Sequence, residues 1–125
     1  MLDHHHQEGR GSLSVLEYKN LKFLPKRMYY ISGVPKGEIR GKHGHKKDKQ
    51  YLICIEGKLE VTTIDRKNKK TTTLLNKGEM YYIDKMTWGE QKYITEKEIL
   101  LVLCSTNYDP KDYIYNLEEI INNSI

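Results

Sequence analysis

The chain has 125 residues, with 21 Lys and Arg against 17 Asp and Glu and a formal net charge of +4. That is one domain's worth of sequence, long enough to bury about two-thirds of its unfolded surface. The charge excess is too mild and scattered for a nucleic-acid partner, a composition with 38% hydrophobic residues excludes a wholly disordered chain, and no apolar run approaches the roughly 20 residues that cross a membrane.

No secretory leader pattern opens the chain, so a cytoplasmic location is expected. Cys54 and Cys104 both sit inside apolar runs and read as buried free thiols, not as a disulfide framework or a zinc site. Ten tyrosines stand beside one phenylalanine, a balance that suits the wall of a half-wet cavity.

Taken in chain order, residues 1–9 with His4-His5-His6 read as an N-terminal tail, and residues 10–125 as a single domain. Residues 12–16 alternate briefly, and residues 28–31 (MYYI) are rich in strand formers. Residues 50–55 (QYLICI) make a continuous apolar run that ends at Glu56-Gly57-Lys58, a hairpin-like turn. Residues 59–64 alternate cleanly, and the charged stretch 65–70 reads as a loop. Residues 71–75, 79–83, 87–94 and 99–105 add four more strands, at the spacing of a sandwich or barrel. Only the C-terminus reads as helix. Asp109 can cap it, Pro110 suits its first position, and Tyr113, Leu117, Ile120 and Ile121 keep helical spacing. The expected fold is all-β, a jelly roll with one short C-terminal helix.

The informative stretch runs from Gly37 to Gly57. Gly37 is followed by five residues, His43, one residue, His45, four residues, Gln50, six residues and Gly57. Histidines at i and i+2 of a strand point to one face, and Gln50 on a neighbouring strand can point into the same interior. The spacing resembles the first cupin motif, G-x(5)-H-x-H-x(4)-E-x(6)-G, with Gln50 at the glutamate. The fold implied is the cupin double-stranded β-helix. The second cupin motif falls on Gly78 and is altered: Asp84, Met86, Gly89 and Tyr93 stand at its proline, glycine, histidine and asparagine. Two neutral imidazoles and an amide lack both a donor and the negative charge a divalent cation requires. No metal and no other cofactor are expected. A histidine in a partly apolar pocket titrates near neutrality, so the pair suits general acid–base work.

Further motifs narrow the resemblance. Arg10-Gly11-Ser12-Leu13, the stretch 26–31 (KRMYYI), 40–46 (RGKHGHK), Thr87-Trp88-Gly89-Glu90, and 101–105 (LVLCS) with 109–113 occur in the order found in the nucleotide-sugar 3,4-ketoisomerases. The chain resembles these WxcM-like cupins, which act on dTDP-4-keto-6-deoxy-D-glucose, from about residue 8 to residue 117. The resemblance implies a homodimer that moves a carbonyl from C4 to C3 of a dTDP-linked keto sugar without a metal. His43 is then the catalytic base, with His45 its partner and Tyr29 the hydrogen-bond donor to the reacting oxygens. Arg10, Arg27, Arg40 and Gln50 would line the substrate site. Trp88 is placed there as a nucleobase-stacking partner, with the core as its other reading. Tyr29 and Tyr30 are consecutive, so only one faces inward.

Gly89 departs from the histidine or basic residue usual after the family tryptophan, and Gly44 replaces the alanine between the histidines. A 3,5-epimerase-like cupin, a non-catalytic sugar-nucleotide binder and a metal-dependent dioxygenase are the alternatives. The epimerases lean on a histidine backed by an aspartate, a context not legible in this sequence. No nucleic-acid or membrane partner is expected.

Overall fold

In the computed structural model, which describes residues 2–122, the histidine run is not a tail. Strand β1 (Asp3–Gln7) pairs antiparallel with β2 (Gly11–Val15) in a hairpin. Nδ1 of His4 lies 2.8 Å from Ser14 Oγ, and Nδ1 of His6 lies 3.0 Å from Ser12 Oγ. His4 Nε2 donates to the Gly78 carbonyl at 3.1 Å, tying the hairpin to the barrel. Asp3–Gln7 is polar on both faces, so it carries no period-two hydrophobic signal.

Nine strands follow: β3 (Arg27–Ser32), β4 (Ile39–His45), β5 (Gln50–Glu56), β6 (Lys58–Ile64), β7 (Lys70–Asn76), β8 (Met80–Ile83), β9 (Trp88–Tyr93), β10 (Ile99–Cys104) and β11 (Tyr113–Ile114). They form two antiparallel sheets, one ordered β3-β10-β5-β8 and the other β11-β4-β9-β6-β7. Apart from the β6–β7 hairpin, each strand lies in the opposite sheet from the one before it, which makes a jelly roll. The expected all-β fold holds. No helix among the described residues is long and apolar enough to cross a membrane.

Leu52, Cys54, Val61, Leu100, Val102 and Cys104 fill the space between the sheets. The continuous apolar run of β5 has a specific cause. Its alternate residues Tyr51 and Ile53 face outward, where Leu2, Leu16, Leu21 and Phe23 cover them. Burial on both faces removes the alternation. Both cysteines are buried free thiols.

Two expectations need correction. Glu56-Gly57-Lys58 is a crossover between sheets and not a hairpin, because β10 and β8 already occupy both edges of β5. The C-terminal helix starts later than its cap signals suggest. Asp109 and Pro110 open a single 3-10 turn, in which Asp109 Oδ1 accepts from Lys111 N at 3.0 Å. Tyr113 and Ile114 then pair with His45 and Gly44 at the edge of β4, and α1 (Leu117–Ile121) begins only after the Asn116 cap. Sheet pairing outweighs local helical spacing.

Candidate active site

Strand β4 carries the H-x-H pair, and its shape aims the first histidine. Gly41 has φ +91° and Lys42 φ +59°, and the register with β9 shifts between Gly41 and His43. Two successive residues in the left-handed region make a bulge that re-aims the following side chain. Gly41 has no substitute: a Cβ there would lie 2.8 Å from the Gly89 carbonyl oxygen and 3.0 Å from Gln91 Oε1.

The bulge brings His43 Nδ1 to 3.0 Å from the Gly41 carbonyl oxygen. A carbonyl only accepts, so Nδ1 carries the proton and Nε2 is left as the basic nitrogen. Burial pushes the His43 pKa below its ordinary 6.5, with the Gly41 hydrogen bond partly offsetting it. The ring is neutral at pH 7.

His45 lies behind the cavity wall. Its ring sits edge-on to His43 at 5.1 Å and against Tyr113 at 4.5 Å. Nδ1 lies 3.4 Å from Asp112 Oδ2, and Nε2 lies 3.4 Å from Gln50 Nε2. An amide nitrogen only donates, so Nε2 accepts and the proton of His45 is on Nδ1, toward the carboxylate. Both ring nitrogens therefore face protein groups. Burial first, then the His43 charge, lowers the His45 pKa despite Asp48 and Asp112.

The cavity beside His43 has a volume of about 360 Å³, within the range of small-ligand sites. Of the residues expected at a substrate site, Arg27, Tyr29, Arg40, His43 and Gln50 line it. Tyr29 faces inward and Tyr30 outward, as alternation requires. Burial first, then neighbouring Cys104, pushes the Tyr29 pKa well above the usual phenol value, so its hydroxyl stays a donor. The Arg27 guanidinium lies 5.6 Å from the Tyr29 ring centroid and 5.5 Å from that of Tyr108. Its buried Nε has no hydrogen-bond partner among the described residues. Arg40 is exposed at the cavity rim.

Three expected residues do not line the cavity: His45, expected beside His43 in the pocket, is held behind its wall by the Asp112 and Gln50 contacts, and Arg10 and Trp88 lie farther off. Arg10 is exposed in the turn of the β1–β2 hairpin and does not line the cavity. Trp88 is buried against Ile114 and Ile120, with its indole N–H donating to Glu90 Oε1 at 3.1 Å. It is a core residue beneath α1. The cupin metal position also fails to fit a cation. His45 Nε2 is turned to the Gln50 amide, and Gly89, opposite His43 on β9, has no side chain to donate.

The chain matches the FdtA family, described as WxcM-like, C-terminal, over residues 1–124. It belongs to that family. The TDP-4-oxo-6-deoxy-alpha-D-glucose-3,4-oxoisomerase of Aneurinibacillus thermoaerophilus is 36% identical over 108 residues, which are 86% of this chain and 78% of the relative. Among solved structures, the 3,4-ketoisomerase QdtA of Thermoanaerobacterium thermosaccharolyticum, a histidine-to-asparagine variant in complex with TDP-4-keto-6-deoxyglucose, superposes with a TM-score of 0.89 at 34% identity over 98% of this chain and 89% of that one. The WlaRB TDP-quinovose 3,4-ketoisomerase of Campylobacter jejuni gives 0.87 at 35% identity, over 98% and 94%. The rmlC epimerase of Mycobacterium tuberculosis shares the fold alone, with a TM-score of 0.77 at 16% identity over 90% of this chain and 64% of that one.

Four further residues stand at the site that residue type and spacing did not single out. Tyr108, Tyr113 and Gln91 line the cavity, and Asp112 stands beside His45. The spacing of Asp112 from the histidines is long, and only the pairing of β11 with β4 brings them together. Local signals exist for three of the four: the inward alternation of Gln91 on β9, and the motif at 109–113, which contains Asp112 and Tyr113.

Proposed function

We propose that the chain is a sugar-nucleotide 3,4-ketoisomerase that converts dTDP-4-keto-6-deoxy-D-glucose to a dTDP-3-keto-6-deoxyhexose with side chains alone. The observation that carries this reading is the 3.0 Å contact of His43 Nδ1 with the Gly41 carbonyl oxygen, which assigns the proton to Nδ1 and leaves Nε2 as a basic nitrogen on a residue lining the cavity. His43 takes the C3 proton, the C3–C4 double bond forms, and the negative charge goes to the oxygen on C4. Tyr29 and Arg27 donate to the oxygens as the enediolate forms, and Arg40 at the rim meets the diphosphate. The enediolate proton shifts between the two oxygens. C4 then takes the proton that His43 carries while the C3 carbonyl closes, so the reaction balances without an oxidant or reductant. His45 supports His43 from behind, and Gln50 holds it.

Exposed Leu13, Met28, Tyr30 and Ile55 on the hairpin and the outer side of the β3-β10-β5-β8 sheet support a homodimer through that side. Arg10 reaches a substrate only if the partner's cavity opens beside the hairpin turn. The enzyme works in the cytoplasm, where Cys54 and Cys104 stay reduced.

The test follows dTDP-4-keto-6-deoxyglucose by proton NMR in deuterated water, with the wild type and His43→Asn side by side. Loss of the C3 proton signal with a new 3-keto species, slowed about 100- to 10,000-fold in the variant, is the expected result. Exchange at C3 and C5 together indicates an epimerase. No exchange at all leaves a binding protein.

A further inference from the structure

Among the buried charges, Asp48 is held by three donors yet does not line the cavity. It is 2% exposed. Its Oδ1 accepts from Ser105 Oγ at 3.2 Å and from Thr106 N at 3.0 Å. Its Oδ2 accepts from Gln50 Nε2 at 3.0 Å and lies 3.5 Å from a terminal nitrogen of Arg27. Burying a carboxylate is costly unless its lone pairs are used, and here three donors fix its orientation. The direction left for Oδ2 is toward the guanidinium.

Arg27 takes a fixed point from this carboxylate, beside a side-chain contact with Tyr113. Its planar group is bounded by the Tyr29 and Tyr108 rings, and its buried Nε has no partner among the described residues. Ring contacts at 5.6 and 5.5 Å limit tilt but do not fix the direction of an N–H. An ion pair at Nη2, which shares an edge of the planar group with Nε, fixes the rotation of the group and so the directions in which Nε and the far terminal nitrogen present their hydrogens. A donor contributes to an enediolate only if it stands in place before the charge develops. We infer that Asp48 is a positioning residue of this site, which holds the Arg27 guanidinium where it donates to the reacting oxygens without itself touching the substrate.

The inference rests on the isomerase reading and has a discriminating variant. Asp48→Asn is isosteric. Its carbonyl oxygen can still accept from Ser105 and Thr106, but its amide nitrogen then opposes the donors of Gln50 and Arg27. The structural half of the contact survives while the positioning half is reversed.

C3 exchange kinetics and calorimetric titration with TDP are measured on the wild type, Asp48→Asn, Arg27→Met and the double variant. Asp48→Asn is expected to lower kcat about tenfold or more, since outright removal of a preorganised donor lowers it about 100- to 1,000-fold. KM and the number of TDP sites per chain stay at wild-type values. A residue that only supports the fold lowers the number of TDP sites and leaves kcat per site unchanged, which overturns the inference. In the Arg27→Met background, adding Asp48→Asn is expected to change kcat less than about twofold, because the group it positions is gone. An equal loss in both backgrounds also overturns it. This second comparison stands even if Asp48→Asn alone does not fold, since the double variant leaves no unpaired cation. Absence of C3 exchange in the wild type refutes the isomerase reading itself, which separates the two failures.

Discussion

His45 Nδ1 lies 3.4 Å from Asp112 Oδ2, with both side chains less than a tenth exposed. The same carboxylate accepts from the backbone N–H groups of Lys47 at 2.8 Å and Asp48 at 3.1 Å. Asp112 therefore locks the turn after β4 with one pair of lone pairs and faces the histidine with another. Superficially this is the histidine–aspartate pairing associated with the epimerase alternative. Its geometry argues otherwise, because the far nitrogen of His45 is turned to Gln50 and the ring does not line the cavity. A base must reach the proton it takes.

Asp112→Asn keeps the size of the side chain but turns an amide N–H₂ toward one of two backbone donors. Leaving a buried donor unsatisfied costs about 1–3 kcal/mol. Urea unfolding is expected to show a loss of that size with an unchanged m-value. C3 exchange continues in the folded fraction.

The pH profile follows from the two histidines. Burial lowers both pKa values below the ordinary 6.5, so the folded state prefers the neutral rings. As pH falls below 6.5 the unfolded chain takes up protons that the folded chain refuses, and stability falls until the folded-state values are reached. The acidic limb of kcat/KM in C3 exchange is expected to have its midpoint below pH 6.5. A midpoint above that value would contradict a neutral, buried base.

Gly41→Ala tests the bulge that aims His43. The new Cβ would meet the Gly89 carbonyl oxygen at 2.8 Å, and the φ of +91° is itself strained for alanine. A loss of about 1–3 kcal/mol is expected in thermal or urea unfolding. Because the Gly41 carbonyl holds His43 Nδ1, kcat falls as well while TDP still binds. An alanine variant with wild-type stability and kcat would mean that β4 can straighten without moving His43.

Gln50→Glu restores the cupin glutamate and asks why an amide stands there. In the native chain the amide donates to Asp48 Oδ2 at 3.0 Å. A carboxylate at that distance repels Asp48, so its folded-state pKa rises above the unfolded value of about 4.3. A group with a raised pKa loses stability as pH rises. The deficit of the variant relative to wild type is therefore expected to be largest at neutral pH, on the order of 1–3 kcal/mol, and to shrink toward pH 4. Denaturant midpoints of the two proteins across pH check this.

Much of the fold was legible along the chain because its signals are local. The alternation of β6, the inward Tyr29 beside the outward Tyr30, and the i, i+2 spacing of His43 and His45 follow from the geometry of an extended strand. The spacing of Gly37, His43, His45, Gln50 and Gly57 carried the cupin architecture, and five of the expected site residues, Arg27, Tyr29, Arg40, His43 and Gln50, meet at one cavity.

The remainder depended on pairing between distant segments. Asp3–Gln7 is a strand only because β2 lies against it. Tyr113 and Ile114 leave a helical pattern because the edge of β4 offers backbone partners. That pairing alone sets Asp112 beside His45 and Tyr113 beside both histidines. Trp88 and Arg10 stand in motifs that suit a substrate site, yet one packs beneath α1 and the other lies in an exposed turn. Residue type and spacing determine which face a side chain takes. Which face of which strand it then meets, and so which histidine lines the cavity, is decided by long-range sheet register and burial.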